Sequence, residues 1–227
     1  LSAHIANGLQ NGPEPYAEAR FFYLYSRIGK LMLIPKSICK GLSDAEILRK
    51  SIEEVDYFSC LYDRYEQKLL RYMHRIAQIS DTEAEDVLQD AFVKIWKNMH
   101  AIDPELKLSS WVYRVVHNET VSWMRRKTSY GKDRNVPWKE SFDPAVEPSL
   151  PGEGQENQGQ EGQIRFLLEQ LPLVSREVLA LKFFEEMSYA EISDVLKIPE
   201  GTVATRINRA KKAFAELATK NKLSFEF

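Results

Sequence analysis

Apolar residues recur at three- and four-residue intervals between positions 51 and 130, and the same spacing returns between 164 and 222. Pro and Gly fall at the breaks and strand-like alternation is nearly absent, so both blocks are predicted to be helical. The expected fold is all-α, with two small helical domains at 51–130 and 164–227. Between them, residues 141–163 ("SFDPAVEPSLPGEGQENQGQEGQ") carry acids, Pro, Gly and Gln but no Lys or Arg. Such a stretch has too little apolar surface to pack, and residues 131–163 are expected to form a flexible acidic linker. Residues 1–50 form an N-terminal extension. Its "ARFFYLYSRIGKLMLIPKSICKG" is apolar without a clean period, whereas "SDAEILRKS" at 43–51 has the form of a short capped helix.

The C-terminal block reads as three helices from Pro172 onward. Ser175 is expected to cap the first, with Val178, Leu179, Leu181 and Phe183 along it. Ser188 and Glu191 make an S-x-x-E capping box that opens a short helix with Tyr189, Ile192 and Leu196 inward. Lys197-Ile198-Pro199 breaks it, and Glu200 begins a longer helix. Val203, Ile207, Ala210, Phe214 and Leu217 line one side of this last helix. Thr205, Asn208, Arg209 and Lys212 face away, with Arg206 on the flank. A short helix, a tight turn and a longer basic helix make a helix-turn-helix, whose second helix enters the major groove of DNA.

Two helices of the first block carry candidate contacts. In the helix starting near Asp81, Ala84, Leu88, Ala91 and Ile95 form the inner stripe. Asp86, Gln89, Val93 and Trp96 fall opposite, where a merely solvated face would not place Trp; this is the composition of a partner patch. The next helix, from about Ser109 to Lys127, aligns Arg114, Asn118, Val121 and Arg125 on one line. Tyr113, His117, Thr120 and Met124 follow on the next. Cations hold phosphates, while aromatic and amide groups stack on or hydrogen-bond an unpaired base. Trp111 and Val115 are assigned to packing, and His117 has no evident acid–base partner in the sequence.

Charge sharpens this picture because it is segregated. The 227 residues hold 31 Lys and Arg against 33 Asp and Glu, a formal net charge of −2. The basic residues nevertheless gather in "RRKTSYGK" at 125–132 and in the 200–214 helix, and two basic patches flanking an acidic tether suggest two contacts with one polyanion. No apolar run approaches membrane-spanning length, so no membrane insertion is expected. The N-terminal stretch lacks the ordered charged, apolar and cleavage regions of a signal peptide. Met32 is the first methionine in a chain that starts with Leu1, which raises the expectation that residues 1–31 lie upstream of the native start. Cys39 and Cys60 have no zinc spacing and form no disulfide framework, and the four scattered histidines give no metal site. No cofactor, metal, catalytic group or small-molecule substrate is expected, and a reducing, cytoplasmic setting fits best.

The motifs "YFSCLYDRYEQKLLRYMHRIAQISDTEAEDVLQDAFVKIWKN" and "SSWVYRVVHNETVSWMRRK" resemble the promoter-melting domain of bacterial sigma factors. Followed by "LPLVSREVLALKFFEEMSYAEISDVLKIPEGTVATRINRAKKA", they look like the extracytoplasmic-function (ECF) group of the sigma-70 family, which has these two domains and a linker. The resemblance spans about 57–130 and 166–214. It implies an initiation factor, not an enzyme, whose partners are core RNA polymerase, promoter DNA and an anti-sigma factor. By resemblance, Asp86, Gln89, Asp90, Val93 and Trp96 dock on the polymerase. Lys107, Ser109, Arg114, His117, Asn118, Arg125, Arg126 and Lys127 would hold the melted strand, with the loop "HAIDPELKL" beside them. Thr202, Thr205, Arg206, Asn208, Arg209, Lys211 and Lys212 would read the upstream duplex, and the acidic linker would thread the RNA path of the polymerase. The family usually has Gly where Lys197 stands, an Asp at Ser122, a basic residue at Ala204 and an aromatic-basic-Thr run at 108–110. Two other readings keep the helix-turn-helix: a one-component regulator that binds duplex operator as a dimer, and an enzyme with a DNA-binding tail.

Overall fold

A computed structural model describes residues 34–102, 107–130 and 160–223. Among these residues the secondary structure is helical, as the periodicity predicts, and the chain divides into two compact units.

The first unit comprises residues up to Tyr65 together with Phe92–Ile102. It contains α1 (Lys36–Gly41), α2 (Asp44–Glu53), the start of α3 (Phe58–Ile76) and the end of α4 (Asp81–Asn98). The expected cap of α2 is present: the Glu46 amide donates to Ser43 Oγ at 3.3 Å, and the Ser43 amide donates to the Glu46 carboxylate at 2.7 Å. Ile47, Leu61, Phe92 and Ile95 are fully buried and form the core. Phe58 packs edge-on against Phe92 and Trp96, with centroids at 6.0 and 5.1 Å. Arg64 ties the N-terminal helices to α3, donating to Asp44 Oδ1 at 2.6 Å and to the carbonyls of Cys39 and Leu42 at 2.8 and 2.6 Å. The two cysteines depart from expectation, because Cys39 and Cys60 form a disulfide across 21 positions. Sequence spacing could not reveal it, since the bond depends on α1 folding back against α3.

The second unit comprises Glu66–Ala91 and the chain from Asp103 onward. It holds the remainder of α3 and α4, then α5 (Leu108–Tyr130), α6 (Gln160–Glu169), α7 (Leu173–Leu179), α8 (Tyr189–Leu196) and α9 (Glu200–Lys220). Ser80 and Glu83 cap α4 reciprocally, a box of the same S-x-x-E form as the one at 188–191. Lys127 adds its ammonium to Glu83 at 3.1 Å, and these contacts hold that carboxyl down to about 2. The inner stripe of α4 is buried as expected, Ala84, Leu88 and Ala91 here and Ile95 in the first unit.

Several local expectations change. Helix α6 starts at Gln160, so the last residues of the expected linker are helical; the rest of the linker, residues 1–33 and much of the "HAIDPELKL" loop lie outside the described residues. Ser175 does not cap α7. That helix begins at Leu173 after Pro172, which fixes the backbone for a first turn, and Ser175 lies inside it. Beyond Leu179 the chain widens into a π-type turn over Ala180–Phe184, with the Glu185 amide donating to the Ala180 carbonyl at 3.2 Å. The extra residue per turn rotates Phe183 outward, leaving it 48% exposed, while Val178, Leu179 and Leu181 stay buried. Tyr189, the first residue of α8, is also exposed, and Ile192 and Val195 supply its inner face. On α5 the packing residues are Leu108, Val112 and Val116, whereas Trp111 and Val115 are only half-buried.

Candidate nucleic-acid interface

Helix α9 is built as the periodicity requires. Val203, Ile207, Ala210 and Phe214 are buried, and Thr205, Asn208, Arg209, Lys211 and Lys212 are exposed. Its entry is set by the Ser188–Glu191 capping box on α8 and by Lys197, which takes left-handed backbone angles at φ 55° and ψ 45°. A side chain in that region costs about 1–2 kcal/mol, which the turn between α8 and α9 imposes. Ser193 Oγ donates to the Ile198 carbonyl at 2.6 Å and holds the turn shut. Thr205 donates to the Gly201 carbonyl at 2.9 Å, which leaves its oxygen lone pairs facing outward for a donor. Thr202 is half-buried, and the Lys211 ammonium lies 6.0 Å from the Phe183 ring centre.

Arg206 points elsewhere. It donates to the buried Glu177 carboxylate at 3.2 Å. Burial pushes the Glu177 carboxyl up to about 7, against the opposing pull of Arg206 and Arg176. His117 Nε2 stands 3.6 Å from the other Glu177 oxygen, and Tyr72 OH lies 2.9 Å from His117 Nδ1. Burial lowers the His117 ring to about 4, so it is neutral near pH 7. A neutral ring that accepts from Tyr72 at Nδ1 presents Nε2–H toward Glu177. The line Tyr72–His117–Glu177–Arg206 therefore joins α3, α5, α7 and α9. His117 has partners that the sequence did not disclose.

Two more candidate cations, Arg114 on α5 and Lys107 just before it, are engaged in the same way. Arg114 donates to the Asp194 carbonyl at 2.6 Å and approaches its carboxylate at 3.5 Å. Lys107 pairs with Glu191 at 3.1 Å. Tyr113 OH donates to Glu185, and Arg75 reaches the same carboxylate at 3.3 Å while its guanidinium lies 4.2 Å from the Phe184 ring centre. The π-type turn is what brings Glu185 round to these two donors. Lys107, Arg114 and His117 are thus gathered on α7 and α8. Asn118, Arg125 and Arg126 are exposed on α5, Lys127 lies 4.6 Å from the Trp123 ring, and Ser109 is half-buried.

On α4, Asp86 and Asp90 are exposed and Gln89 is half-buried. Val93 and Trp96 are also half-buried, with Trp96 resting on Phe58. Part of the indole therefore serves the core and part remains open to solvent. Among the described residues no group of His, Cys, Asp and Glu is placed to hold a metal ion.

The family comparisons fall on these same segments. Residues 61–130 match the model of sigma-70 region 2 and residues 161–214 match that of sigma-70 region 4. The ECF RNA polymerase sigma factor SigW of Bacillus subtilis is 31% identical over 177 residues, covering 74% of this chain and 94% of that protein. The ECF RNA polymerase sigma-E factor of Escherichia coli is 27% identical over 74% of this chain and 91% of its own length. Among solved structures, CnrH in complex with the cytosolic domain of CnrY superposes with a TM-score of 0.56 at 21% identity, covering 77% of this chain and 96% of that one. RpoE of Bartonella quintana, in complex with the anti-sigma factor NepR, gives 0.53 at 21% identity over 71% and 96%. With both regions matched in order and a relative covered nearly end to end, the chain belongs to the ECF group of the sigma-70 family.

Proposed function

We propose that this protein is a transcription initiation factor that binds core RNA polymerase, directs it to a set of promoters and assists their melting. The observation that carries this reading is the ordered pair of sigma regions on one chain, the second of which ends in an exposed basic helix. Thr205, Asn208 and Arg209 on α9 reach base edges of the upstream duplex, and Lys211 and Lys212 meet its phosphates. Asp86, Gln89, Asp90, Val93 and Trp96 on α4 bind the polymerase. Lys107, Ser109, Arg114, His117, Asn118, Arg125, Arg126 and Lys127 contact the opened strand once the α5 contacts to α7 and α8 are released. Arg206, held by Glu177, acts chiefly as an anchor of the α9 base.

The protein joins no nucleotides itself; RNA synthesis belongs to the polymerase. It works where polymerase and promoter are, in the cytoplasm, and no described helix is long and apolar enough to cross a membrane. The titles of two structures of like fold name sigma–anti-sigma complexes, which supports an anti-sigma partner for this chain as well. Run-off transcription with core polymerase, with and without the protein, tests the reading. Promoter-dependent transcripts that appear only with the protein are expected. Specific dimeric binding to operator duplex with no effect on the polymerase would instead establish a one-component regulator.

A further inference from the structure

We infer that Cys39 and Cys60 form a reversible thiol–disulfide exchange site, with low-molecular-weight thiols and disulfides as its reactants, that fastens α1 to α3. They are the chain's two cysteines, so no other internal pairing competes. Their Cα atoms lie 5.2 Å apart, within the ordinary span of a bridge. The backbone on the Cys39 side is held independently of the sulfurs. Arg64 binds the carbonyls of Cys39 and Leu42, and Asp44 accepts from both Arg64 and Tyr65. With the bond cut, these contacts keep the two thiols near each other, and re-oxidation needs no search.

Access is asymmetric. Cys60 is 1% exposed within the nineteen-residue α3, whereas Cys39 lies in the six-residue α1 as its one buried side chain. The remaining residues of α1 are exposed, including Ile38. A helix this short does not hold itself, and local opening brings Cys39 to solvent without unfolding its neighbours. Helix α2 has its own capping box and its own buried Ile47, so it stays in place.

Oxidation then runs in two balanced steps. The Cys39 thiolate attacks one sulfur of a small disulfide and expels a thiolate, which takes up a proton. The Cys60 thiolate next attacks the Cys39 sulfur of the mixed disulfide and expels the second small thiol. Two protein thiols and one small disulfide become one protein disulfide and two small thiols, and excess thiol reverses the sequence. In a reducing compartment such bonds are usually transient and sensing rather than structural. Oxidation therefore determines whether α1 is fastened covalently to α3 or held there only by the Arg64 contacts, which open and close. This inference does not depend on the transcriptional reading.

The test uses the full chain equilibrated in defined ratios of reduced and oxidised glutathione. Alkylation followed by intact mass counts free thiols, and trypsin reports on α1 through the exposed Lys36 and Lys40. Both cysteines should become alkylatable together as the ratio shifts, while the helical circular dichroism stays unchanged. Cleavage at Lys36 and Lys40 should be at least tenfold faster in the reduced form. Cys39→Ser should be cut at the fast rate in either buffer, with the α3 core untouched, and Cys60→Ser should agree with it. Three results overturn the inference: both thiols remaining free in oxidised glutathione, a bond that yields to thiol only after urea unfolding, or equal cleavage rates in the two states.

Discussion

Replacing Glu177 with Gln keeps the shape of a buried side chain and removes its charge. In the unfolded chain this carboxyl ionises near 4.5, and in the folded chain at about 7 because burial disfavours the anion. Folding therefore takes up a proton between those values. The stability this confers is complete below pH 4.5 and is lost as pH rises through 7. One pKa unit corresponds to about 1.4 kcal/mol, so the loss comes to about 3 kcal/mol. Gln does not ionise, and Glu177→Gln should exceed the native protein by about 3 kcal/mol at pH 8 while matching it near pH 4.5. His117 runs in the opposite sense, because its unfolded ring protonates near 6.5 and its buried ring only at about 4. That contribution is present above pH 6.5 and is lost as pH falls through 4. Between pH 4.5 and 6.5 the two slopes oppose, and the native protein should be nearly indifferent to pH. In Glu177→Gln the His117 slope stands alone, so acidification should destabilise the variant steadily. Urea unfolding followed by circular dichroism at pH 5, 6, 7 and 8 measures both curves. A variant less stable than the native protein at pH 8 would mean that the Arg206 pair outweighs the burial of its partner, and the reasoning would be refuted.

Three further outcomes are expected. Arg209→Ala should cost about 1–3 kcal/mol of discrimination at a few upstream-element bases, whereas Lys212→Ala should weaken binding to every promoter and flatten the salt slope by about one unit; holoenzyme binding across a promoter library at two salt concentrations separates them. Lys197→Gly should raise the stability of the helix-turn-helix by about 1 kcal/mol in thermal unfolding, since Gly adopts the left-handed turn without the Cβ clash. Trp96→Ala should weaken core polymerase affinity by about 2 kcal/mol and also cost about 1 kcal/mol of folding stability, because the ring rests on Phe58; unchanged affinity with a large stability loss would assign the whole indole to the core.

What could be read from the sequence was local. The capped start of α2, the Ser188–Glu191 box and the buried stripe of α9 all depend on residues within a turn or two of each other. The Ser80–Glu83 box has the same form and was there to be found at the start of α4. A constant helical period does not anticipate the wide turn at 180–184, within which Phe183 is exposed while Leu181 is buried. The Tyr72–His117–Glu177–Arg206 line was out of reach for a different reason. Its members are scattered over four helices, and each is unremarkable on its own helix. The cysteine bridge likewise depends on a chain reversal that no spacing rule encodes.

The grip of Arg114 on Asp194 has a consequence for binding strength. The Arg114 Nε donates to the Asp194 carbonyl at 2.6 Å and its Nη2 approaches the carboxylate at 3.5 Å, so a phosphate can take that two-donor edge of the guanidinium only in molecules where these contacts have opened. For a ligand that needs this edge of Arg114, the apparent dissociation constant is the intrinsic one divided by the open fraction, so one molecule open in a hundred weakens binding about a hundredfold. Whatever draws α8 away from α5 restores that factor without touching the ligand or its contacts. Affinity for such a ligand is then set by the helix that holds Asp194, at a distance from the groups that bind it.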